Sequence, residues 1–204
     1  GFRHSLLRFL PALEELETRS LFLWPVLARR VLWVSLVGLA LYFAFPFFAG
    51  RLGVEAYRNV FSIFLPSFVF LAASQYLVIG LNAGFRQREV FIGSLVLQTT
   101  SVTGIVIGIN LEQGLAFFAA VQLTANAVYL LFNLTVSVYY LGAPKWESLK
   151  AGHTESPDQR QYRRTSFVDD IGNSFLSADI NRFVVAAFST TPQVAVYSVA
   201  ASIV

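Results

Sequence analysis

The 204-residue chain is 55% hydrophobic and only 13% charged, with a net charge of +3 and a mean hydropathy of +0.60. A soluble domain carries about 25% charged residues, so composition argues against one and in favour of membrane spans. The absence of Cys excludes disulfides and thiolate metal sites. Met is also absent, even at position 1, so the sequence is expected to begin inside a longer chain.

Residues 1–30 mix Leu, Phe and Arg, but Glu14, Glu15, Glu17 and Arg19 interrupt them. This pattern predicts one or two amphipathic helices lying in the headgroup region rather than a span. Crossing about 30 Å of hydrocarbon takes about 20 mostly apolar residues. Four stretches qualify as complete spans: Val31–Ala49, Val60–Leu81, Val90–Ile109 and Gly114–Tyr140. Pro46 and Pro66 either kink their helices or sit near their ends. Residues 142–165, with Pro144, Gly152, Pro157 and many charges, read as a flexible cytoplasmic linker. Ser166 and Asp169 then fit a capping box at the start of a fifth segment, Phe167–Phe188. A sixth apolar run begins after Pro192 and is still running at Val204, so the last span is expected to be cut off. Continuous apolar runs of this length argue against outer-membrane strands, which alternate over about 10 residues. The expected fold is an all-α, polytopic membrane helical bundle.

Lys and Arg set the orientation. Arg3, Arg8, Arg19, Arg29, Arg30, Arg86, Arg88, Lys145, Lys150, Arg160, Arg163 and Arg164 all fall in alternate loops. The opposite loops hold only Arg51 and Arg58, which puts residues 1–30 in the cytoplasm. Trp24 and Trp33, either side of Arg29 and Arg30, are expected to form an interfacial anchor. Basic residues beside apolar spans, rather than in one patch with exposed aromatics, do not suggest nucleic-acid binding.

Polar residues inside spans are costly and tend to face a cavity or a partner. In the fourth span Gln122, Asn126, Tyr129, Asn133, Ser137 and Tyr140 recur at three- and four-residue steps, placing them on one helix face. Two readings fit that face: a wet cavity lining, or hydrogen bonding between helices in a bundle core. In the third span Ser94, Gln98, Ser101, Gly104 and Gly108 form a weaker stripe, read as close helix packing. On the fifth segment Asp170, Asn173, Ser174, Ser177 and Asn181 share a face, while Asp179 and Arg182, three apart, lie on another. Arg182 would meet an anionic substrate group with Asp179 holding it, or the two would form a self-neutralising pair. Asp169 and Asp170 sit where a helix dipole favours carboxylates.

Little points to catalysis. His4 and His153 both fall in predicted loops, and no metal-ligand spacing, nucleophile elbow or phosphate loop is present. Neither an enzyme activity nor a cofactor is expected. Asn133-Leu134-Thr135 matches a glycosylation sequon but lies within a span, where it arises by chance.

Two stretches carry a family resemblance. One is Leu81-Asn82-Ala83-Gly84-Phe85-Arg86-Gln87-Arg88, a short basic turn between spans. The other is Asp179-Ile180-Asn181-Arg182-Phe183-Val184-Val185 with Val194-Ala195-Val196-Tyr197-Ser198-Val199-Ala200. Together they resemble the polysaccharide (O-antigen-type) flippases of the multidrug/oligosaccharidyl-lipid/polysaccharide exporter superfamily. Ala195 stands where that family commonly has glycine. The resemblance implies a fragment of a two-lobe exporter fold with about six spans represented. Residues 31–141 would belong to the N-terminal lobe, 142–165 would link the lobes, and 166–204 would begin the C-terminal lobe. It also implies alternating-access flipping of a polyprenyl-pyrophosphate-linked oligosaccharide across the cytoplasmic membrane of a prokaryote, for cell-surface polysaccharide biosynthesis. Arg182 would then contact pyrophosphate, and Gln122, Asn126 and Asn133 sugar hydroxyls. Expected partners are the lipid-linked oligosaccharide and membrane lipids; a coupling ion is left open.

Rival readings are a multidrug exporter of the same superfamily, a membrane-embedded glycosyl or acyl transferase, and a scaffold whose polar stripes only hold helices together. A drug exporter would be expected to carry a coupling carboxylate in its N-terminal spans, and Glu55, Glu89 and Glu112 all lie at ends or in loops here. A transferase would be expected to show a His or paired-carboxylate cluster at one rim.

Overall fold

The computed structural model describes residues 2–13, 16–52, 55–144, 158, 161–162 and 165. Of these, 92% are helical and none is in a strand, which establishes the all-α class. The helices are α1 (Phe2–Phe9), α2 (Leu16–Leu52), α3 (Arg58–Ala83), α4 (Gln87–Asn110) and α5 (Leu115–Leu141), with 3₁₀ turns at Leu10–Ala12 and Glu55–Tyr57. The chain divides into two compact units, one of Leu6–Thr154 and one of Gly1–Ser5 with Glu155–Val204. Of the second unit, residues 2–5, 158, 161, 162 and 165 are described, and all are helical. Helix therefore enters the segment 142–165 that the sequence assigns to a linker. The fifth and sixth apolar segments, with the capping box at Ser166, lie outside the described residues.

Among the described residues, four helices are long and apolar enough to cross a membrane, in the windows Thr18–Ala49, Arg58–Ala83, Gln87–Asn110 and Leu115–Leu141. Helices α3, α4 and α5 have 26, 24 and 27 residues, or roughly 35–40 Å at about 1.5 Å per residue. Each covers the hydrocarbon with a turn or so to spare. The spans read from hydropathy fall inside these helices, except that Gly114 is the N-cap of α5 rather than part of it.

The N-terminal part differs from expectation. No break separates residues 16–30 from the first span: α2 continues through Arg29 and Arg30 for 37 residues, with Pro25 and Pro46 inside it. His4 lies in α1 rather than in a loop. Phe22, Leu23, Trp24, Val26 and Leu27 are buried, so this stretch packs as protein core. Trp24 donates its indole N–H to the Gly142 carbonyl at 2.9 Å, tying α2 to the end of α5. Trp33, by contrast, is 62% exposed, as an interfacial residue would be. Only one of the two tryptophans therefore suits the anchor role.

The packing order follows from small residues and antiparallel turns. Phe45 of α2 stacks on Phe61 of α3 with ring centroids 4.5 Å apart. At the other end of α3, Gly80 faces Leu23 of α2 and Leu141 of α5. Helices α2 and α3 are thus antiparallel, and α3 packs most extensively on α5, with α4 on the other side of α5. The α4–α5 approach depends on glycine. A methyl group added at Gly108 would lie 2.8 Å from ring carbons of Phe117 and Phe118, and one at Gly104 would overlap the Val121 side chain. This is the close packing that the Gly104/Gly108 spacing predicts.

Tight turns join the helices. After α3, the Phe85 N–H bonds to the Asn82 carbonyl at 3.0 Å and the Arg86 N–H to the Leu81 carbonyl at 2.9 Å. This is the Schellman pattern, with Phe85 in the left-handed position (φ 58) that glycine usually fills. The same pair of bonds follows α4, from Glu112 to Ile109 and Gln113 to Gly108, with Glu112 at φ 48. The 82–89 turn is thereby only three residues between helices, and it carries Arg86 and Arg88 at its exit.

Candidate functional site

In hydrocarbon no water is available to satisfy polar side chains, so each must find a partner in the protein. Hydroxyls outside the core do so locally: Ser62, Ser94, Thr100, Thr124 and Thr135 each donate to the carbonyl four residues back. These need no cavity. The face of α5 is different. Asn126, Tyr129, Asn133 and Ser137 are buried, with Asn133 and Ser137 completely inaccessible, while Gln122 and Tyr140 at its ends are partly exposed.

Helix α3 closes over Asn126, while Tyr129 lies against Gly93 of α4. Asn126 donates its amide to the Ser67 hydroxyl at 2.8 Å and reaches the Ser67 carbonyl at 3.3 Å. Gln122 donates to the Asn126 side-chain oxygen at 3.4 Å, extending the chain one turn along α5. Asn133 instead turns its amide to the Tyr129 carbonyl on its own helix at 2.8 Å. Of the two readings of the stripe, the geometry matches helix–helix packing: Asn126 meets Ser67 of α3, Tyr129 lies against Gly93 of α4, and Asn133 and Ser137 are buried. Opening Asn126 to a cavity requires α3 and α5 to separate.

The α3 partner, Ser67, is a residue that sequence reasoning did not single out. Ser67 and Ser74 are both buried and seven residues apart, as are Asn126 and Asn133. That matched spacing was the available signal. Because α3 and α5 run parallel, with Ser67 at Asn126 and Gly80 at Leu141, the same register sets Ser74 level with Asn133. A seven-residue repeat shared by two parallel helices keeps one face of each turned to the other.

A second cluster closes the cytoplasm-assigned end. The Arg86 guanidinium lies over the Tyr140 ring at 4.1 Å, within the range of a cation–π contact. The Glu89 carboxylate lies near the Tyr140 hydroxyl. Tyr140 thus anchors the α3–α4 turn to α5. Glu89 also sits in the first turn of α4, where the helix dipole favours its charge.

The remaining sequence-predicted residues, Asp170, Asn173, Asp179, Asn181 and Arg182, lie outside the described residues. The structure therefore brings together Gln122, Asn126, Tyr129 and Asn133 and makes no statement about the acidic and basic set. No protein-family model, no curated protein and no solved structure matches this chain.

Proposed function

We propose that the chain is part of a membrane transporter that flips a polyprenyl-pyrophosphate-linked oligosaccharide across the cytoplasmic membrane of a prokaryote. On this reading the four helices belong to the N-terminal lobe of a two-lobe exporter, and 142–165 leads into the second lobe. The topology is supported by the alternation of Lys and Arg between loops, which agrees with the helix ends at Ala83, Gln87, Asn110 and Leu115. The substrate class rests on the resemblance carried by Leu81–Arg88 and by Asp179–Val185 with Val194–Ala200.

One observation carries the transporter class itself: a continuous polar face on a span, bonded to a neighbour at Asn126 alone by neutral hydrogen bonds to Ser67. Neutral side-chain bonds between spans are weak, averaging about 0.6 kcal/mol, so such a seam holds helices in register yet separates at low cost. A seam of that strength suits a lobe that rearranges between inward- and outward-open states. In this reading Gln122, half-exposed at the seam's edge, contacts sugar hydroxyls first, and Asn126 and Asn133 do so only as α3 and α5 part. Arg182 binds the pyrophosphate.

The test is translocation of lipid-linked oligosaccharide in cells carrying the full-length protein, its deletion, or the deletion with wild type restored. Loss on deletion and recovery on restoration are expected. Unchanged translocation with altered drug resistance would instead identify a multidrug exporter.

A further inference from the structure

Phe85, Arg86 and Arg88 are all exposed at the turn between α3 and α4. Phe85 holds a strained left-handed conformation (φ 58) that glycine would adopt freely. Packing within the chain does not offset that strain, because the ring is 80% exposed. Neither arginine is paired with a carboxylate among the described residues. Arg86 is nonetheless held in place, with its guanidinium 4.1 Å from the centre of the Tyr140 ring. A contact of this kind places a cation without neutralising it. Glu89, the nearest acid in sequence, lies near the Tyr140 hydroxyl instead. Arg88 is two residues on, so its Cα is at most about 7 Å from that of Arg86. The depth of the turn is also set. Helices α3 and α4 are each long and apolar enough to cross a membrane, which leaves their short connection at the level of the lipid headgroups.

We propose that this turn is a binding site for an anionic phospholipid, with the lipid phosphate on Arg86 and Arg88 and its acyl region against the Phe85 ring. Charge complementarity identifies the occupant. Two guanidiniums without a carboxylate match a headgroup that carries net negative charge, whereas a zwitterionic headgroup brings its own cation. The planar donor fork of arginine suits phosphate oxygens. The exposed ring beside the charges fits a lipid better than a free phosphate, and aromatic rings are favoured at this depth. Contact with lipid gives the Phe85 ring the packing that the chain does not supply. Arg29 and Arg30 are exposed as well, but no ring holds them among the described residues, so they serve as the comparison. The inference needs only that α3 and α4 cross the membrane, and it stands whether or not the oligosaccharide-flippase reading does.

The experiment titrates phosphatidylglycerol into the full-length protein in a neutral detergent and reads the tightest-bound lipid by native mass spectrometry. Phosphatidylcholine and inorganic phosphate are tested at the same concentrations. Phosphatidylglycerol is expected to bind more tightly than phosphatidylcholine and to withstand inorganic phosphate. Arg86→Gln should weaken it about fivefold, the effect of one basic residue at an anionic surface. Arg29→Gln removes the same charge from an arginine that no ring holds, and should change the affinity by less than about twofold. Arg86→Lys keeps the charge but loses the planar fork, so its affinity should fall between wild type and Arg86→Gln. Phe85→Gly should also lose affinity, although it relieves the backbone. If Arg86→Gln does not accumulate, Arg88→Gln reads the same contact. Three results would overturn the site. One is equal binding of the two phospholipids. Another is an equal loss in Arg29→Gln and in the turn variants, which would reduce the effect to overall charge. The last is displacement of the lipid by inorganic phosphate, which would make the turn a simple anion site.

Discussion

Replacing Gly104 by Ala places one methyl group where α4 and α5 come closest. The added carbon would overlap Val121 Cγ1 and lie 2.9 Å from Cγ2 and 3.2 Å from Cβ. Valine is stiff about χ1, so relief must come from the backbones moving apart or from an unfavourable rotamer. Overpacking of this kind costs about 1–3 kcal/mol, against a helix-propensity gain of up to about 1 kcal/mol for Ala over Gly. The net expectation is a loss of about 1 kcal/mol. Gly38→Ala on α2 is the internal control, because the nearest atom to its added methyl is Leu65 Cδ2 at 3.9 Å, an ordinary contact. There the propensity gain stands alone, and the two alanine variants should differ in sign. Circular dichroism during SDS titration of the protein in mixed micelles measures both. Shortening the neighbour with Val121→Ala should recover part of the Gly104→Ala loss in a double-mutant cycle. Equal stabilisation by Gly104→Ala and Gly38→Ala, or no coupling to Val121, would refute the close-approach account.

Asn126→Leu should destabilise by about 1 kcal/mol, within the range measured for polar bonds between membrane helices. The loss should shrink in a Ser67→Ala background, and full additivity by the same titration would show that the Asn126–Ser67 bond is not formed. Phe85→Gly should stabilise by about 1 kcal/mol, since Phe85 occupies a left-handed conformation that glycine adopts without strain while its ring is 80% exposed and loses little packing. A lower midpoint for Phe85→Gly in the same assay would mean that the ring makes a contact the turn depends on.

Hydropathy made the spans legible because a lipid environment admits only helices and closed barrels, and continuous apolar runs of this length fit the helix, so apolar length and helix extent coincide. That coincidence ends where the chain leaves the hydrocarbon. Glu17, Arg29 and Arg30 mark the limit of a span but not of a helix, and α2 runs on past them because its Leu23–Trp24 stretch packs as core. Trp24 looks like an interfacial residue beside Arg29 until Gly142, over a hundred positions away, supplies its acceptor. The polar face of α5 was equally plain from the spacing of Asn126, Tyr129, Asn133 and Ser137. Whether it met a cavity or a helix depended on α3. The serine that decides it, Ser67, is a short side chain that registers as neutral in a hydropathy scan. Gly104 and Gly108 were readable because close approach is a property of the glycines themselves. The strain at Phe85 was not readable, since Gly84 beside it is the expected left-handed residue and the turn is shifted by one.

The central claim is that α3 and α4 cross the membrane in opposite directions, with the Phe85 turn in the cytoplasm and the Glu112 turn outside. The chain has no cysteine, so single Phe85→Cys and Glu112→Cys changes report on those two turns without background from the rest of the 204 residues. Labelling with a membrane-impermeant maleimide on intact cells is predicted to reach Glu112→Cys at once and Phe85→Cys only after permeabilisation. Labelling of both positions from the same side would contradict the topology on which the whole account rests.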